Sequence, residues 1–154
     1  MKIKRNKYDV AVNIICLILL LGITIYLGIS WSNIPDKIPG HYNSMGGVDA
    51  WVNKGKLIIL PIVGWTIYLV ITVIGQFPKL WNTGVTVTAE NKERVYLILK
   101  NMLNTVKLLV IIIFAFLTIN SALAKNLPIW FLPVFLILIF ASIIFFIIKL
   151  VKAK

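Results

Sequence analysis

The side chains that could do chemistry crowd into one stretch of this chain. The chain's single histidine, His41, lies there with two of its five acidic residues, Asp36 and Asp49. Asn43, Ser44 and Lys54 accompany them. An imidazole with two carboxylates and a nearby amide oxygen suits a borderline or hard divalent ion, so His41, Asp36 and Asp49 are candidate metal ligands, with no other cofactor indicated. The same groups could serve acid–base catalysis, with His41 as general base and Asp36 or Asp49 orienting it. Ser44 lacks the spacing of a nucleophile elbow. The plainer reading is a structured cap in which Asn43 and Asp49 satisfy turn amides and Lys54 pairs with a carboxylate or a lipid phosphate.

The backbone of the stretch is built to hold these groups still. Pro35 and Pro39 fix their own φ and push Ile34 and Ile38 toward extended conformations. The run Asn43-Ser44-Met45-Gly46-Gly47 has strong turn chemistry, with glycines free to take positive φ. A stiff arm followed by a defined turn would keep His41, Asn43 and Asp49 in fixed relation.

The positioning elements are apolar. Of the 154 residues 60% are apolar, against about 45–50% in an ordinary soluble domain, and the mean hydropathy is +0.94. Four stretches, about 10–30, 57–76, 107–124 and 129–148, have the length and composition to cross a bilayer, which takes roughly 17–25 apolar residues. The expected fold is therefore all-α: a single four-helix membrane domain with an ordered outer loop at 31–56. The first run reads as a span and not a signal peptide, being too long for an h-region and lacking a small-residue cleavage site. Pro61 lies about one turn into the second run, so a kink below the loop is expected.

The net charge of +11 is explained by topology. Lys2, Lys4, Arg5 and Lys7 precede the first span; Lys79, Lys92, Arg94, Lys100 and Lys107 fall between the second and third; Lys149, Lys152 and Lys154 close the chain. Twelve of the sixteen basic residues thus share one side, leaving Lys37, Lys54, Lys56 and Lys125 on the other. The positive-inside bias puts both termini in the cytoplasm and the motif loop outside. No nucleic-acid partner is expected; the lipid bilayer is the first partner. Cys16, alone, reads as a small packing residue. Trp31, Trp51, Trp81 and Trp130 suit interfacial belts, and Trp65 falls within a span.

Thr88 reads as an N-cap with Glu90 and Glu93 in a first helical turn, after a short extended segment at Val85-Thr86-Val87-Thr88. The helix then runs on past the third span's start. Residues 88–106 form an amphipathic extension: Val95, Ile98, Leu99, Met102, Leu103 and Val106 make an apolar stripe, and Glu93, Arg94, Lys100, Asn101, Asn104 and, just beyond, Lys107 are polar. It would rest on lipid, pack on the inner connection or dock a cytoplasmic regulator or membrane-protein partner. Asn13 in the first span needs a partner on another helix. The first, second and fourth spans carry no ionisable mid-membrane group except tyrosines, which argues against a pump or ion-coupled transporter.

The string Ile34-Pro35-Asp36-x-Ile38-Pro39-x-His41-Tyr42-Asn43-x-x-Gly46-x-x-Asp49, followed by Lys54 and Pro61, resembles the signature of a bacterial membrane module known as domain of unknown function 1648. The resemblance covers about residues 10–74. That module is best known at the N-terminus of SdpI-type immunity proteins, which protect a producer cell from its own peptide toxin and relay toxin binding inward. The resemblance implies a bacterial cytoplasmic-membrane protein for immunity or signalling. A ligand site at Pro35, Asp36, Pro39, His41, Tyr42, Asn43, Gly46, Asp49, Trp51 and Lys54 is expected, with Ile34 and Ile38 adding apolar contact. Two alternatives stay open: a metal-dependent or acid–base enzyme acting on a lipid-linked or envelope substrate, and a subunit of a larger membrane complex.

Overall fold

A computed structural model describes residues 5–153; Lys2, Lys4 and Lys154 of the basic fringe lie outside the described residues. Four helices carry the chain: α1 (Lys7–Ser30), α2 (Ile59–Ile74), α3 (Lys92–Ala122) and α4 (Phe131–Val151). Each is long and apolar enough, with its flanking turn where it has one, to cross a membrane. Their outward faces stay apolar: Ile18, Ile25, Ile62, Leu69, Ile137 and Phe140 are all exposed. Such surfaces are tolerated only in hydrocarbon. The protein is a multi-pass membrane protein.

The fold is not purely helical. Between α1 and α2 the chain forms an antiparallel hairpin, β1 (Lys37–Tyr42) with β2 (Val48–Asn53). The sequence predicts a stiff arm and a turn here but no strands. Six-residue strands on either side of an Asn43–Gly47 turn were the missed feature; Pro39 is compatible because both strands of a two-stranded sheet are edges. No strand forms at Val85–Thr88. A short 3-10 segment at Lys54–Ile58 leads into α2, so Pro61 falls in its first turn, where the missing N–H breaks no bond within the helix and gives no cause for the expected kink.

Polar side chains fix the starts of α1 and α3. Asn6 accepts the amide of Asp9 at 2.6 Å to open α1. At α3 the Thr88 hydroxyl accepts from the Asn91 amide and the Asn91 side chain accepts from the Thr88 amide, a reciprocal pair that places the helix start at Lys92. The Thr88 hydroxyl also holds the exposed Glu90 carboxyl below the usual carboxylate range. α3 stops at Ala122, and Ala124 takes φ +52°, a left-handed position that glycine normally fills. Ala124→Gly is expected to raise stability by about 0.5–1 kcal/mol, read as an upward shift of the thermal midpoint in detergent.

α3 is the centre of the bundle: α1, α2 and α4 each pack on it, and α1 touches α2 far less. Val12, Cys16, Leu20 and Ile23 of α1 meet Tyr68 of α2 and Ile111 and Ala115 of α3. Gly64 lets α2 approach α1, since a Cβ there would meet Leu20 at 3.1 Å. The amphipathic start of α3 rests on its own chain: Val95 and Leu99 pack with Leu150, Ala153, Trp81, Val85 and Val87. Its polar side does not face water. Lys100, Asn104 and Lys107 are buried, turned toward α1. The hairpin and the α3–α4 turn share one end of the bundle; the described chain ends and the α2–α3 connection share the other.

Candidate functional site at the hairpin

The hairpin is fastened at three places. At its base Lys54 lies 3.1 Å from Asp36 and donates to the Ile34 carbonyl, and the Lys54 amide donates to the Asp36 carbonyl at 2.9 Å. Below, Ile34 and Ile38 are sealed against Leu27, Leu57 and Ala122. Both isoleucines are buried against the bundle; Ile38 also lines the cavity beneath the hairpin and Ile34 does not. At its tip the Asn43 side chain accepts both the Met45 and Gly47 amides at 2.9 Å. Gly46, at φ +84°, comes so close to the Leu127 carbonyl that no side chain fits. The Leu127 amide donates to Gly46 and the Val48 amide to the Asn126 side chain. Along its length Tyr42 Oη meets Ser121 Oγ at 3.0 Å and accepts from the Asn120 amide group.

Under this roof lies a cavity of about 640 Å³. Its walls are Leu57 and Leu60 at the entry to α2, Ile113 and Leu117 of α3, and Leu132 and Phe135 of α4. α4 packs chiefly on α3, so the space lies between α2 and α4. Polar groups appear only at the roof and rim: His41, Tyr42, Asn43, Ser44, Ser121 and Lys56. An apolar chamber with a few polar groups at one end is the usual form of a small-ligand site.

The structure divides the ten expected site residues. Pro39, His41, Tyr42, Asn43 and Gly46 line the cavity. Asp49 is held to it through His41, whose Nδ1 lies 2.6 Å from Asp49 Oδ1. Pro35, Asp36, Trp51 and Lys54 are not part of the lining; Asp36 and Lys54 close the hairpin base, and Lys54 sits 5.9 Å from the Trp31 ring centre. The expected trio of His41, Asp36 and Asp49 is thus split between the two ends of the hairpin. Among the described residues no group of three His, Cys, Asp or Glu side chains gathers to hold an ion. The His41–Asp49 pair is open to water, its side chains 69% and 42% exposed.

Sequence reasoning missed the chamber walls on α3 and α4, which belong to no motif. It also missed a polar cluster at the opposite end. Asp9 Oδ2 lies 2.7 Å from Lys100 Nζ, while Asp9 Oδ1 accepts from Asn13 and Asn104. Lys107 Nζ donates to Asn13 and to Thr72 of α2. Asn13 therefore finds its partner on another helix. The signal was present: Lys100, Asn104 and Lys107 repeat at helical spacing, as do Asp9 and Asn13.

No curated protein and no solved structure matches the chain. The second half of α1, the hairpin and the entry to α2, residues 18–64, match the family model described as a domain of unknown function (DUF1648), a narrower stretch than the 10–74 resemblance but one that contains the whole hairpin motif.

Proposed function

We propose that this protein captures an amphipathic ligand from the membrane, by way of a peptide toxin's apolar segment entering the cavity beneath the hairpin, and thereby confers immunity or passes a signal inward. The cavity carries this reading. It is large, apolar and bounded by helices that meet lipid, and its polar groups stand only where a ligand's polar end would sit. The hairpin is a held lid, since its base packs on the bundle and its flank and tip bond to α3 and the α3–α4 turn, and a rigid site loses less freedom on binding. With this face outside, as the positive-inside bias favours, a secreted peptide would reach the cavity directly.

A second reading rests on one observation, the His41–Asp49 contact at the cavity rim. A carboxylate holding Nδ1 is how a general base is oriented, and such a site would act on a lipid-linked or envelope substrate. The exposure of both groups favours binding over catalysis, because water is not excluded.

Challenge of sensitive bacteria with a panel of membrane-active peptide toxins tests the proposal. Cells expressing the protein should survive at least one toxin that kills the control. Leu117→Trp, which fills the cavity, should abolish protection, and Asp36→Asn at the hairpin base should leave most of it. Protection untouched by cavity filling, or absent across the panel, would count against capture. His41→Ala separates the readings: a graded loss fits capture, and an all-or-none loss in a folded protein fits an enzyme.

A further inference from the structure

At the other end of the bundle α1 and α2 part over α3 and leave a cleft of about 310 Å³, at the small end of the range of about 300–1,000 Å³ usual for ligand sites. Its floor is polar: Asp9, Asn13, Lys100, Asn104, Lys107 and Thr72. The charges do not balance. Arg5, Lys100 and Lys107 line it against a single carboxylate, Asp9. That carboxylate is already committed to Lys100 and two amides. Lys107 is 1% exposed, yet its partners are all neutral: the Asn13 oxygen, the Thr72 hydroxyl and the Tyr68 ring, whose centre is 5.1 Å away. Among the described residues no carboxylate reaches it. A buried cation whose nearest carboxylate lies beyond ion-pair distance is costly, and an anion from outside the chain would meet that deficit.

The rim identifies the anion's source. Val10 and Ile14 of α1 border the cleft and are exposed on a helix face that meets hydrocarbon. An apolar rim around a cationic floor matches a molecule with a phosphate and acyl chains. Arg5 at the exposed edge adds a guanidinium, the side chain suited to phosphate.

We propose that this cleft binds the phosphate of an anionic phospholipid in the leaflet at the termini end, with Lys107 and Lys100 as the floor and Arg5 at the rim. The site is separate from the hairpin cavity and stands whether or not that cavity captures a peptide.

Native mass spectrometry of the full chain in detergent, with equal amounts of dioleoyl phosphatidylglycerol and dioleoyl phosphatidylcholine, tests it. The wild type should retain the anionic lipid about tenfold over the zwitterionic one. Lys107→Met should fold at least as well as wild type in lipid-free detergent, because an unpaired buried charge is gone, and should lose the preference. Arg5→Gln, on the exposed rim, cannot disturb the core and should lower the preference partway. Equal retention of both lipids by the wild type, or a preference unchanged in Lys107→Met and Arg5→Gln, overturns the proposal. Excess inorganic phosphate should compete with the anionic lipid; a thermal shift with phosphate alone and none with the lipid would overturn the lipid assignment in favour of a soluble phosphate.

Discussion

Replacing Asp9 with Asn is expected to cost about 3–5 kcal/mol of stability, the usual penalty for removing one partner of a buried ion pair. Asp9 and Lys100 side chains are only 8% and 10% exposed. Without the carboxylate, Lys100 loses its counter-charge and Lys107 loses the nearest negative group in its network. The cost comes from stranded charge and not from lost packing, so it should be largely reversed by a second change. In the pair Asp9→Asn with Lys100→Met both charges leave together, and most of the stability should return. Unfolding by denaturing detergent, followed by circular dichroism, reads both. A single substitution that costs less than about 1 kcal/mol would mean the pair is solvated, as surface ion pairs are.

Gly46→Val is the second large effect, expected to cost about 2–4 kcal/mol. Two independent constraints meet at this residue. Its φ of +84° is one that β-branched residues almost never adopt, and the space a Cβ would need is taken by the Leu127 carbonyl. Relief requires the hairpin tip to leave the α3–α4 turn, breaking the bonds from the Leu127 and Val48 amides. Those two amides should lose protection from hydrogen exchange, and the cavity below should lose its roof. Met45→Val, one residue earlier and exposed, is the control and should change stability by less than about 0.5 kcal/mol. Equal effects at the two positions would show that the tip is not docked as described.

How far these features could be read from the sequence differs by element. The four helices are plain because hydrocarbon demands long apolar runs, and nothing else in the chain competes with that signal. The hairpin is half legible. Pro35, Pro39 and the Asn43–Gly47 turn announce a rigid, turned segment, and Asn43 caps that turn as its chemistry suggests. Strand pairing is another matter: Ile38, Tyr42, Val48 and Val52 alternate over too few residues, with Pro39 and Gly40 interrupting them. The split of His41, Asp36 and Asp49 is not legible at all. Asp36 and Asp49 lie near His41 in sequence, but antiparallel pairing brings Asp36 to Lys54 and Asp49 to His41. The polar cluster was misread for a different reason. Lys100, Asn104 and Lys107 look like the solvent side of an amphipathic helix, and only the placement of Asp9 and Asn13 opposite them turns that side inward.

The cavity depends on four segments of the chain: the hairpin, the entry to α2, the second half of α3 and the start of α4. Only the first carries the motif. The match at residues 18–64 therefore covers the roof and one wall of the chamber, and the remaining walls come from residues outside it.

If the space beneath the hairpin is a ligand site, an occupant can be read directly. The protein should be extracted from its native membrane in mild detergent and weighed intact, in a Lys107→Met background that silences the cleft at the other end. A bound amphiphile of defined mass is expected, and it should disappear in Leu117→Trp while the protein stays folded. Bound mass that is the same with the cavity filled, or no bound mass in either protein, would contradict a ligand site there.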